Sequence, residues 1–178
     1  FSQKKGERPR IVLINDADAA GIGEARQGAG KKYRRVLYLT ISTGIGGARI
    51  INGAIDPQAQ HFEPGHFTLI PRGRKCGCGR RGCFEAYGSG TGFYKTYGVR
   101  AEDCKDQKIW NEYAKMVGQG IINATKNAPP DIIVIGGGVS QVGNRGSHPP
   151  VGRIMGGRDS VLAVINGFGR SLTLPISK

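Results

Sequence analysis

No run of apolar residues approaches the roughly 18 that a membrane-spanning helix needs, and the longest clear stretches, such as Ile132 to Ile135, stop far short. No basic-then-apolar signal segment opens the chain either. A soluble protein of the cytoplasm, with no membrane partner, is therefore expected. Acidic residues are scarce: 13 Asp plus Glu stand against 26 Lys plus Arg, for a formal charge of +13. Such an excess makes nucleic acid a partner to exclude. The basic residues scatter among expected loops, and the aromatics, 7% of the chain, do not interleave with them as a stacking platform would. Nucleic acid is thus disfavoured, and a solvated surface or attraction of an anionic nucleotide accounts for the charge. Glycine shows no Gly-X-Y period, and no internal repeat is visible, which excludes collagen-like and solenoid architectures. A Walker lysine motif is also missing, so any nucleotide site here is not a P-loop.

Glycine itself is abundant, 30 of 178 residues, well above a typical share of about 7%. Because 38% of the chain is apolar, the excess accompanies a real core and marks local geometry. Arg10 to Ile14 reads as a short buried strand, and Ala17 to Ala29 as a helix with Glu24 and Arg26 on its polar face. Val36 to Ile41 is apolar on both faces, the pattern of a covered central strand. Past a glycine turn at Gly44 to Gly47, Ala48 to Ile51 pairs back as a hairpin, and Asn52-Gly53 supplies the next tight turn. Asp56 to Gly92 lacks sustained periodicity and reads as an elaborated loop, with a short helix from Glu85. Within Asp106 to Asn127, Trp110, Tyr113, Val117, Ile121 and Ala124 recur at helical spacing on one stripe. Asp131 to Ile135 is a second buried strand, followed by Gly136 to Gly138. Alternating strands and helices predict an α/β fold.

Three of the four cysteines fall in Cys76-Gly77-Cys78-Gly79-Arg80-Arg81-Gly82-Cys83, with His66 ten positions upstream of the first. One His and three Cys make a complete tetrahedral set for structural zinc. A disulfide or unrelated thiols is the competing reading, disfavoured inside a cell and by the strain of a Cys-x-Cys bridge. Arg72, Arg74, Lys75, Arg80 and Arg81 crowd the same loop and are expected to lower the thiol pKa values. Cys104 stands apart as a plain thiol. A fully protein-ligated zinc keeps no open position for water, so the cluster predicts a metal without predicting catalysis.

Asp16 stands at a strand-to-helix joint, where α/β proteins hold ligands. From its position alone it serves equally well as a helix cap or as a base. Ser42 to Gly47 offers backbone N–H groups that phosphate could approach, or is an ordinary glycine-rich hairpin.

Four segments in order, Asn15-Asp16-Ala17-Asp18, Ser42-Thr43-Gly44-Ile45-Gly46-Gly47, Glu63-Pro64-Gly65-His66 with the cysteine box to Glu85, and Ile135-Gly136-Gly137-Gly138, resemble the ROK family of repressors and sugar kinases. The resemblance implies an actin-like (ribonuclease H-like) ATPase fold of two α/β lobes, with sugar and ATP in the cleft between them. It further implies an ATP-dependent hexose kinase acting on glucose or a related N-acetylhexosamine, or alternatively a sugar-sensing repressor whose DNA-binding segment lies outside this chain. Carried over by motif position, Asp16 is the general base, and Asn15, Glu63, His66 and Glu85 contact the sugar. Thr43, Gly44, Gly46 and Gly47 approach the ATP phosphates, Gly137 and Gly138 lie near the nucleoside, and His66, Cys76, Cys78 and Cys83 bind zinc. Mg²⁺ accompanies ATP, and a homodimer or homotetramer is implied for the full-length protein. Pro64 and Asp18 depart from the residues usual in the family. An Asp-x-Gly-x-Thr turn, the family's other phosphate grip, does not precede Phe1, and the chain stops soon after Leu174-Pro175-Ile176. A fragment is therefore expected, with residues 1–33 the end of the first lobe and 34–178 a truncated second lobe.

Overall fold

The computed structural model describes residues 13–142 and 163–165. A five-stranded mixed sheet forms its centre: β1 (Arg35–Ile41), β2 (Ile45–Ile51), β3 (Ala54–Ile55), β4 (Ile132–Gly136) and β5 (Ala163–Ile165), in the order β3-β2-β1-β4-β5. β1 and β2 form the expected antiparallel hairpin, with Tyr38 opposite Ala48 and Thr40 opposite Gly46. Parallel pairing sets Leu37 against Ile133 and Leu39 against Ile135, and β4 runs parallel to β5. Asn52 (φ 52°) and Gly53 (φ 75°) both occupy the left-handed region, as a two-residue turn between β2 and β3 requires.

Alternation along β1 and β4 feeds two apolar layers. Leu37, Leu39, Ile41, Ile133 and Ile135 pack on one face with Trp110, Tyr113, Val117, Ile121 and Ala124. Those last five are the stripe read from sequence, carried by helix α4 (Gln107–Thr125), with Asp106 as its N-cap accepting from the Lys108 and Ile109 N–H groups. Val36, Tyr38, Ala48, Ile50, Ile132 and Val134 face the other way, with Ala25 of helix α1 (Asp16–Arg26). The sheet is thus covered on both sides, as the apolar run of β1 predicts.

Three expectations need correction. Leu13 and Ile14 form no strand and are exposed, while 10–12 lie outside the described residues. α1 stops at Arg26 and does not reach Ala29, because the Glu24 carboxylate accepts from the Ala29 N–H at 3.0 Å and the Glu24 carbonyl accepts from Gly28 and Gly30. Gly46 and Gly47 belong to strand β2, so the turn shrinks to Ser42–Gly44. Within the long loop, helix α2 (Glu85–Gly88) starts where expected, and α3 (Gly90–Tyr97) follows it. α3 was hidden by Gly90 and Gly92. Its signals were the Ser89 cap, which accepts from the Gly92 N–H, and Gly98 at φ 71°. A short helix α5 (Gly138–Gln141) closes the continuous part.

α4 approaches the site elements through Gly120, whose missing Cβ makes room for the Phe84 ring. Gly120→Ala is expected to destabilise the protein by about 1 kcal/mol net, overpacking of about 1–3 kcal/mol outweighing a helix-propensity gain of about 1. Gly23→Ala, on α1 with no atom within 4 Å of the new methyl, is expected to stabilise by up to about 1 kcal/mol. Urea midpoints moving in the same direction for both variants would contradict this packing.

Candidate functional site

Helix α1 presents the first two residues. The Asn15 side-chain carbonyl accepts from the Ala17 N–H at 2.8 Å and is the cap. Asp16 is the first helical residue, and it is exposed. Asp16 Oδ1 also accepts from the Ala17 N–H at 2.8 Å, so the N-cap Asn15 and Asp16 share that donor.

The hairpin supplies the second part. At the end of β1, the Ser42 N–H donates to the Gly44 carbonyl at 2.9 Å, and the Ser42 carbonyl accepts from the Gly90 N–H at 2.7 Å, so the start of α3 clamps the turn. Behind it the floor is glycine because space demands it. A Cβ on Gly47 would meet Pro64 Cγ at 2.7 Å and the Tyr38 carbonyl at 2.8 Å, and one on Gly46 would meet Ala17 Cβ at 3.3 Å. Pro64, buried in the 3₁₀ turn Pro64–His66, carries Glu63 to the mouth of the same space.

Glu85 joins from the first position of α2. Its Oε2 accepts from the Ile45 N–H at 2.9 Å, and its Oε1 lies 3.8 Å from Cys76 Sγ. The result is one cavity of about 430 Å³. Asn15, Asp16, Glu63 and Glu85 line it together with Thr43, Gly44, Gly46 and Gly47. Eight residues singled out in three of the four segments thus converge. Ser42 of the same turn lines it as well, and so does Thr40; the period-2 alternation that carries Thr40 to the face of Ser42 was the signal that could have found Thr40.

Three singled-out residues lie elsewhere. His66 is not among the lining residues; its Nδ1 stands 3.8 Å from Cys76 Sγ. Gly137 (φ 94°) backs onto the Ile41 carbonyl, where a Cβ would collide. Gly138 has open space around its missing Cβ, and neither glycine borders the cavity.

The donor atoms of His66, Cys76, Cys78 and Cys83 all lie within 4.8 Å of one another, and the four cysteines are free thiols. Cys78 and Cys83 sulfurs are 3.7 Å apart. Tetrahedral coordination with metal–sulfur bonds of about 2.3 Å puts sulfurs roughly 3.8 Å apart, so the set fits a zinc ion. Two antiparallel bridges, Thr68 with Cys83 and Lys75 with Arg81, fold the loop back to make it. Its electrostatics differ from those expected of five crowded cations. The Arg80 backbone N–H, helped by its side chain, pulls the exposed Cys78 thiol down to about 6, whereas burial pushes Cys83 up to about 12. Arg74 is turned to structural work, donating to the Ala86 carbonyl at 2.8 Å and to Thr96 Oγ1 at 3.0 Å and stacking 4.8 Å from the Tyr87 ring centre.

Residues 3–146 match the model of the ROK family. The chain belongs to the ROK family. It is 32% identical to the glucokinase of Halalkalibacterium halodurans over 75% of this chain and 50% of that protein. It is also 36% identical to the xylose repressor of Bacillus spizizenii, over 71% of this chain and 33% of the repressor. Among solved structures, the ROK glucokinase of Streptomyces griseus in complex with glucose and AMPPNP superposes with a TM-score of 0.68 at 27% identity, over 86% of this chain and 62% of that one. The ROK hexokinase of Thermus thermophilus gives 0.64 at 36% identity, over 72% and 50%. These neighbours carry the actin-like ATPase fold, and the α/β sheet described above is its counterpart in this chain. This ROK chain spans about half the length of the glucokinases it matches. Among the described residues, no helix is long and apolar enough to cross a membrane.

In the metal-free protein, thiol alkylation separates the two sulfurs. Cys78 is expected to react with iodoacetamide as a thiolate at pH 7, slowing as pH falls through about 6 because the proton returns, while Cys83 stays protonated and slow throughout. Peptide mass spectrometry across pH 5 to 8 checks it; equal rates at the two residues would contradict the assignment.

Proposed function

We propose that the intact protein is an ATP-dependent hexose kinase, phosphorylating glucose or a related N-acetylhexosamine with Asp16 as the general base. The observation that carries this is the convergence of Asp16, Asn15, Glu63 and Glu85 with the Ser42–Gly44 turn on one cavity. The glucose and AMPPNP bound by the S. griseus relative support the same reading. Phosphoryl transfer asks mainly for positioning and charge stabilisation. Asp16 takes the proton of a sugar hydroxyl, the hydroxyl oxygen forms the bond to the γ-phosphorus, and the bond to ADP breaks. Asn15, Glu63 and Glu85 accept from or donate to the other hydroxyls and hold the reacting one in line. The Thr43 hydroxyl and the backbone of Gly44, with the Gly46–Gly47 floor behind them, admit the phosphates at close range. Mg²⁺ enters with ATP and neutralises the phosphate charge.

His66, Cys76, Cys78 and Cys83 hold a structural zinc, and His66 serves the sugar as well, through the ring nitrogen that does not face Cys76. Gly137 and Gly138 lie near the nucleoside in the same reading. Among the described residues, those up to 33 belong to the first lobe and those from 34 onward to the second, and the assembled protein is a dimer or tetramer of the cytoplasm. The likeness to a xylose repressor favours a second reading, a sugar-sensing regulator with its DNA-binding segment outside this chain. An exposed Asp16 beside the phosphate turn tilts the choice to the kinase, since sensing alone does not need a base there.

In the intact protein, Asp16→Asn is expected to leave the unfolding midpoint within about 0.5 kcal/mol, because Asn15 holds the cap. It is expected to lower kcat for hexose phosphorylation by about 10²–10⁴-fold, with little change in KM for the sugar. ADP release from ATP and a hexose panel reads this out. Equal kcat in both proteins removes Asp16 as base, and sugar binding without any turnover in the unmodified protein supports the regulator.

A further inference from the structure

The metal loop and the Ser42–Gly44 turn meet at a single side chain, Glu85. Its Oε2 accepts from the Ile45 N–H at 2.9 Å, and its Oε1 accepts from the Cys76 thiol at 3.8 Å, a contact that ends once a cation takes the thiol proton, after which the link runs through the chain from Cys83. Gly44 makes this possible, because a Cβ there would stand 2.7 Å from Oε2. The glycine is thus explained by the carboxylate beside it as much as by any phosphate. Backbone contacts tie the arrangement to the loop: the Phe84 N–H donates to the Phe67 carbonyl at 2.9 Å, and the Cys76 N–H to the Arg80 carbonyl at 2.8 Å. Cys83, a proposed metal ligand, lies two positions before Glu85 on the same stretch of chain.

We infer that Glu85 is the positioning residue through which the metal loop holds the turn, so that occupancy of the metal site fixes the backbone expected to face ATP phosphate. A divalent cation on His66, Cys76, Cys78 and Cys83 fixes Cys83 and with it the start of α2. Restrained there, Glu85 stays on the Ile45 N–H. Without the cation the loop samples open states, Glu85 leaves with it, and Ile45 exposes its N–H to water. The inference rests on the metal reading proposed above.

Amide exchange at Ile45 tests it, measured on the intact protein loaded with Co²⁺ and again after chelation. Loading is followed independently by the visible thiolate–cobalt absorption. Ile45 exchange is expected to be at least about tenfold slower in the loaded protein, while the Leu39 and Ile133 amides of the sheet centre do not change. Glu85→Ala and Gly44→Ala, the second displacing the carboxylate by its new methyl, should each abolish that difference without abolishing the cobalt spectrum. Glu85→Gln, whose amide oxygen still accepts from Ile45, should keep most of it. A cobalt spectrum with no metal-dependent change at Ile45 overturns the coupling alone. Absence of the spectrum overturns the metal reading, and the coupling with it.

Discussion

A carboxylate accepting from a backbone N–H 40 positions away closes this site. Glu85 on Ile45 brings the end of a long irregular loop back onto the central hairpin, and the geometry of the cavity follows. Glu63 reaches the mouth because Pro64 rests over Gly47, and Asp16 reaches it because α1 crosses the same hairpin. Gly21 on that helix is close enough that a Cβ would lie 2.8 Å from Ala48 Cβ. Three carboxylates in one space repel each other, so each needs a local reason to be there. Glu85 has a backbone donor, while Glu63 and Asp16 are exposed enough to be solvated until a ligand arrives.

Much of this was legible in the sequence because the signals were local and periodic. The stripe of α4, the hairpin β1–β2 and the Asn52-Gly53 turn each follow from spacing that needs no tertiary knowledge. The His66 and cysteine set was legible because ligand chemistry restricts residue types as strongly as geometry does. Less legible was why particular glycines are glycine. Gly46, Gly47 and Gly137 read as ligand-facing, yet their near neighbours are Ala17, Pro64 and the Ile41 carbonyl. Close packing and close ligand approach select the same residue, and sequence does not separate them. α3 was missed for a related reason: its glycines lower helix propensity, and its cap and the Phe93–Trp110 and Phe93–Tyr113 ring contacts supply the stability.

The basic excess takes on a narrower meaning. One cation, Arg80, acts on the thiols, and another, Arg74, braces α2 and α3. Arg35 pairs with Asp131 at 2.6 Å, which joins the starts of β1 and β4 and holds the Asp131 carboxyl below the usual range. Exposed pairs of this kind add little to stability because water screens them; their value is in register. The opposite pulls on Cys78 and Cys83, polar donation on one and burial on the other, leave the loop half prepared for a cation, with one thiolate formed near neutral pH and one thiol whose proton must leave.

The most direct measurement is a crystal structure of the intact protein with a hexose and a non-hydrolysable ATP analogue. One sugar hydroxyl is expected about 2.6–3.2 Å from the Asp16 carboxylate, with Glu63 and Glu85 on other hydroxyls and the terminal phosphate facing the Ser42–Gly44 turn. A hexose bound outside the cavity, or bound within it with Asp16 beyond hydrogen-bond reach of every hydroxyl, would contradict it.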